Sequence, residues 1–164
     1  MRSPALSLAS LGFAAFALVA APRAAHAGDF AVGADGGVLV PTDGNISTGF
    51  DLGGRFGYRA HLGPLWLQPE IQGGYMKLGS AGLGRATGGA RFGLGGLLQP
   101  QVFAHAGAAF GDANGFSFDA GGALDVKLSI FFAGVHGAVG YLDAGKLSGT
   151  VTWIDIGPHA GFLL

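Results

Sequence analysis

The chain has 164 residues, 33 of them glycine and none cysteine, and its nine basic and ten acidic side chains leave a formal net charge of −1. Charged residues make up 12% of the sequence, about half the ordinary share, which is too few to cover a soluble surface comfortably. This balance excludes the clustered basic face of a nucleic-acid binder, and the lack of cysteine excludes a disulfide framework and a lipid-modified cysteine.

In chain order, residues 1–27 read as a cleaved export signal: Arg2 is the positive start, residues 5–21 are an apolar run, and Ala25-His26-Ala27 is a small-residue cleavage site. Removal of Arg2 and Arg23 with it would leave a single domain over residues 28–164, mildly acidic in charge. No later apolar run approaches the roughly 20 residues of a spanning helix, so a membrane would have to be crossed by strands.

Alternation of period two, punctuated by turn residues, marks eight candidate strands: 29–40, 49–62, 65–77, 85–98, 101–110, 117–128, 130–142 and 150–163. Each is near the 9 to 11 residues that cross a bilayer at a tilt. In the second, "GFDLGGRFGYRAHL", Phe50, Leu52, Phe56, Tyr58 and Leu62 share one parity, against Asp51, Arg55, Arg59 and His61 on the other. The third sets Leu65, Leu67, Ile71 and Tyr75 against Gln68, Glu70 and Gln72, and the fourth sets Phe92 and Leu94 against Thr87 and Arg91. In the fifth and seventh, Phe103 and Phe132 share a face with His105 and His136. The sixth opposes Phe118 and Leu124 to Asp119, Asp125 and Lys127, and the eighth opposes Ile154 and Ile156 to Asp155 and His159. Between them, tight turns at Gly63-Pro64, Gln99-Pro100 and Leu128-Ser129 alternate with longer connections such as "KLGSAGLGRA" and "LDAGKLSG". Short turns would then gather at one end of a meander and longer loops at the other.

A soluble lipocalin-like barrel would turn the apolar parity inward around a ligand; a membrane barrel would turn it outward, because arginine facing lipid costs about 2–4 kcal/mol at the midplane. Glycine favours the second. Arg55 stands between Gly53 and Gly57, and Arg91 between Gly89 and Gly93, an economy that only a narrow interior requires. The expected fold is therefore all-β: an eight-stranded antiparallel up-and-down transmembrane barrel with a polar interior and an apolar exterior.

Counted from the tight-turn end, Asp35, Arg55, Glu70, Arg91, His105, His136 and His159 fall at similar heights. This predicts a lumenal charge layer of Asp35, Arg55, Glu70 and Arg91, with Arg55 between the two carboxylates, next to the lumenal histidines. Asp51, Arg59, Asp119, Asp125, Lys127 and Asp155 are further inward polar groups. The layer reads either as a structural plug or as a narrow pathway for protons or small solutes. The histidines form no H-x-x-x-H or similar pair, and "GLGRATGG" has the wrong spacing for a dinucleotide loop, so no catalytic, metal or cofactor site is expected.

In texture, "QPQVFAHAGAAFG", "SIFFAGVHGAVGYL" and the closing "WIDIGPHAGFLL" resemble the small bacterial outer-membrane β-barrels of the OmpA/OmpX type. The resemblance covers the whole chain after the export signal and is one of architecture. It implies a Gram-negative outer membrane, contact with membrane lipid and lipopolysaccharide, handling by the barrel-assembly machinery, and a monomer. The closing strand departs from the usual assembly signal by ending in Leu164 and carrying Pro158. Some members of that family modify lipid A through a His-x-Ser pair; here the text is His136-Gly137-Ala138, and no enzymatic role is carried over. Pro69 and Pro158 inside strands predict a bulge or a strand end at each.

Overall fold

A computed structural model describes residues 28–42, 44–143 and 149–164. The export signal expected over residues 1–27 lies outside the described residues. Eight strands follow in chain order: β1 (Asp29–Pro41), β2 (Gly49–Leu62), β3 (Leu65–Leu78), β4 (Ala81–Leu94), β5 (Leu98–Gly111), β6 (Gly115–Leu128), β7 (Phe131–Asp143) and β8 (Thr150–Leu163). Each pairs antiparallel with its sequence neighbour and β1 pairs with β8, so the sheet closes and leaves no free edge.

Followed once around the wall, the paired residues run from Ala31 through Gly57, Glu70, Gly89, His105, Asp119, Gly140 and Trp153 to Pro41. The circuit therefore closes ten residues farther along β1, from 31 to 41. With a rise of about 3.3 Å per residue and about 4.7 Å between strands, that offset tilts the strands by about 40° from the axis. An eight-stranded barrel of this tilt has room inside for side chains and little else. Parity decides what enters: Arg55 is 5% exposed, whereas its neighbour Phe56 is 49% exposed on the outer wall.

Three boundaries differ from the sequence reading by three or four residues. The fourth strand starts at Ala81, not residue 85, because Gly79 takes a left-handed φ of 58° and closes a two-residue turn with Ser80 where a long loop was expected. The glycines that follow do not break the strand, since Tyr75 lies over Gly82 and Phe110 over Gly84, so neighbouring aromatics fill the space of the missing side chains. Gln99-Pro100 lies within β5, and the turn before it falls at residues 95–97, where Gly96 has a φ of 127°. Long and short connections consequently do not alternate strictly, although the ends remain unequal.

The prolines produce neither bulge nor strand end. The β2–β3 ladder skips the two pairs beside Pro69 and resumes at Ala60–Leu67 in the same register; the β1–β8 ladder skips Gly36 and Gly37 opposite Pro158 and Gly157 and resumes at Val38–Ile156. Each proline points its missing N–H at one neighbour and keeps its carbonyl and the flanking pairs, so the sheet passes through.

The interior is layered. Toward the end bearing the 42–48 and 112–114 connections it is closed by an apolar cap of Leu39, Met76, Leu78, Leu83, Ala109, Leu142 and Trp153. The opposite, tight-turn end holds Ala31, Phe132 and Leu163 together with buried Trp66. Between these caps lie the charged and polar side chains. Inward glycines make room for the two tryptophans: Trp153 lies against Gly140, and Trp66 against Gly93.

Candidate functional site

Glu70 on β3 is the hub of the polar layer. Its Oε1 accepts hydrogen bonds from Arg91 Nε at 2.6 Å and from His105 Nε2 at 2.8 Å, and its Oε2 accepts from Gln68 Nε2 at 2.6 Å. Gln72 Nε2 donates to Oε1 as well, at 3.3 Å. His105 on β5 reaches onward: its Nδ1 donates to Asp119 Oδ1 at 2.8 Å, so both ring nitrogens face carboxylates. Asp119 Oδ2 in turn accepts from Arg85 Nη2 at 2.6 Å. This chain of charge-assisted bonds thus spans β3, β4, β5 and β6, each partner stiffening the next. The Arg91 guanidinium also lies 4.5 Å from the Phe103 ring centroid.

A second set lines the opposite wall. His159 Nε2 on β8 donates to Asp125 Oδ1, His136 Nε2 on β7 donates to Asp155 Oδ2 at 3.3 Å, and the two histidines meet Nδ1 to Nδ1 at 3.4 Å. Nearer the tight turns, Arg59 donates to Gln68 Oε1 at 3.0 Å and to Gln99 Oε1 at 2.9 Å, with its guanidinium 3.8 Å from the Trp66 ring centroid. Asp51, part-buried, and Asp155 both point an oxygen toward Gly37. Lys127 is at the tight-turn end of β6, half-buried.

The predicted layer is divided rather than continuous. Arg55 approaches Asp35 at 3.7 Å but is not within ion-pair distance of Glu70, whose guanidinium partner is Arg91. The ten-residue offset of the wall explains this, because equal counts along two strands do not mean equal positions across them. Arg55 Nε and Nη1 are buried without a hydrogen-bond partner. We therefore expect Arg55→Met to lower the free energy of unfolding by less than about 2 kcal/mol, since it removes buried donors that are already unsatisfied; urea titration of the folded barrel in detergent measures it.

Arg85 is the charged member that sequence reasoning missed. The fourth strand was drawn to begin at that residue, at the edge of a loop; once the turn is placed at Gly79-Ser80, its parity with Arg91 puts it inside. The apolar caps were missed because inward leucine, methionine and tryptophan read as faults in the alternation. Between the two sets of ion pairs, a cavity of about 20 Å³ lined by Asp35, Asp51, Arg55, Gln72, Arg85 and Arg91 has the space of a single water. No group of three or more metal-ligating side chains is found among the described residues.

No family model matches the chain, and no curated protein matches it. Among solved structures it is similar to Neisserial surface protein A (NspA), with a TM-score of 0.51 and 11% identity over 82% of this chain and 97% of that one. At that identity the likeness concerns the backbone alone. Together with the closed up-and-down topology, it shows that the chain has the fold of the small eight-stranded outer-membrane barrels.

Proposed function

We propose that the chain is an integral β-barrel of a bacterial outer membrane, exported by residues 1–27, inserted by the barrel-assembly machinery, and serving as a monomeric structural or interaction protein at the cell surface. The tight turns would face the periplasm, and the 42–48 and 112–114 connections the outside, against lipopolysaccharide.

The observation that carries this reading is the outer wall. On β1 the outward series runs from Phe30 to Val40, which at about 3.3 Å per residue and about 40° of tilt is a band about 25 Å high, the apolar height of a membrane barrel. Exposed aromatics gather near both of its edges: Phe30, Tyr58, Phe131 and Phe162 at one end, Phe50, Tyr75, Phe110 and Phe116 at the other. A soluble barrel with an apolar ligand inside would need Phe56 and Ile71 at the centre, and both are on the outer wall.

The role inside is that of a plug. Buried charges persist only when paired, and here they are held between two apolar caps. After reconstitution into planar bilayers, the barrel is expected to pass no single-channel current, with insertion verified by faster gel migration of the unboiled sample. Steady conductance steps would replace the plug with a narrow channel.

A further inference from the structure

Inside the wall of β6, β7 and β8, four buried side chains form a connected row: Asp125, His159, His136 and Asp155. Each outer carboxylate holds the Nε2 of one ring, Asp125 that of His159 and Asp155 that of His136, the latter at 3.3 Å. With the N–H of each neutral ring committed to its carboxylate, both Nδ1 atoms carry a free lone pair. These two Nδ1 atoms meet at 3.4 Å. Lone pairs so placed repel unless a cation joins them.

The spacing has a chemical meaning. Zinc binds imidazole nitrogen at about 2.0–2.1 Å, so two nitrogens on one tetrahedral ion are about 3.4 Å apart. A ligating histidine characteristically holds its other N–H on a carboxylate, which fixes the tautomer and the ring; both rings here do so. Gly157, on the inward face between Asp155 and His159 and paired with His136, keeps side-chain bulk out of the centre.

A second observation points the same way. The cavity of about 20 Å³, with the space of one water, is bordered by His136, Asp35 and Asp155. Asp35 Oδ1 and Asp155 Oδ1 are buried without a hydrogen-bond partner, and a water carried on an ion supplies donors to such acceptors. Arg55 is the opposing charge on this cavity.

We propose that His136 and His159 form a lumenal site for one zinc-like divalent ion, bound through the two Nδ1 atoms, with Asp125 and Asp155 holding the rings and water completing the coordination. Imidazole ligands without thiolate suit this class of late first-row ions. The site goes beyond the plug reading by tying β7 to β8 through an ion. It depends only on the inward faces of β6, β7 and β8, so its failure leaves the membrane reading untouched.

The apolar caps close the lumen at both ends, so the ion enters as the barrel folds. The test is to refold the chain with zinc chloride, dialyse away free ion and count zinc per chain by plasma mass spectrometry. The wild type is expected to retain one zinc, and His136→Gln and His159→Gln none. Asp155→Asn should weaken zinc binding by about 10–100-fold, the usual effect of removing the carboxylate behind a ligating histidine, and it carries the test where neither histidine variant folds. Arg55→Met should strengthen binding several-fold by removing the opposing charge. A wild type that gives the compact unboiled band yet retains no zinc overturns the site and leaves the two Nδ1 atoms sharing a proton. Equal retention by wild type and His136→Gln, or affinity unchanged in both Asp155→Asn and Arg55→Met, also overturns it by placing the ion elsewhere.

Discussion

Phe56→Arg is expected to abolish insertion into lipid vesicles. Phe56 is at the middle of β2, points outward, is paired with Ile71 across the ladder, and stacks on Phe30 with centroids 5.8 Å apart. A guanidinium at mid-depth in hydrocarbon costs about 2–4 kcal/mol, and loss of the stacked ring adds about 0.5–1.5 kcal/mol. Together these, about 2.5–5.5 kcal/mol, reach the lower end of the stability of a small domain. The readout is loss of the compact band in unboiled gel samples and loss of co-flotation with vesicles. Insertion at wild-type yield would mean that the faces are assigned the wrong way round.

Glu70→Gln is expected to lower the free energy of unfolding by about 3–5 kcal/mol, although it changes one atom. Both carboxylate oxygens are acceptors surrounded by donors: Arg91, His105 and Gln72 on Oε1, Gln68 on Oε2. An amide turns one of those acceptors into a donor facing donors, and it leaves the Arg91 charge without its counter-ion. Urea unfolding followed by fluorescence of Trp66 and Trp153, which face the interior, measures the loss. Adding Arg91→Met should recover part of it by removing the orphaned charge. An equal or larger loss in the double variant would show that the two residues do not act as a pair.

The strand count, the closed meander and the two faces were legible because each depends on side-chain parity, a property of one strand at a time. Turn positions were less so. The run Gly79 to Gly84 reads as loop by composition, and only the rings of Tyr75 and Phe110 from adjacent strands explain why it is sheet from Ala81 onward. Pro69 and Pro158 were read as interruptions, whereas a closed wall carries each through by giving up two pairs on one side.

Pairing inside the barrel was legible only in part. Arg55, Glu70, Arg91, His105 and Asp119 are all buried in the interior, but which of them touch depends on the ten-residue offset of the wall, which no single strand encodes. Hence Arg91 and His105, not Arg55, meet Glu70. The apolar caps were illegible for a related reason. Leu39, Leu83 and Trp153 occupy inward positions on three strands and form a layer only when the tilt brings them to one level.

The central claim, oil outside and ions within, is tested most directly by a single-cysteine scan of β2 from Phe50 to Arg59 with nitroxide labels in vesicles, since the native chain has no cysteine to interfere. Collisional access to dissolved oxygen is expected to peak at positions 50, 52, 54, 56 and 58 and to fall at 51, 53, 55, 57 and 59. Oxygen access at the odd positions with protected even ones, or no period of two, would contradict the account.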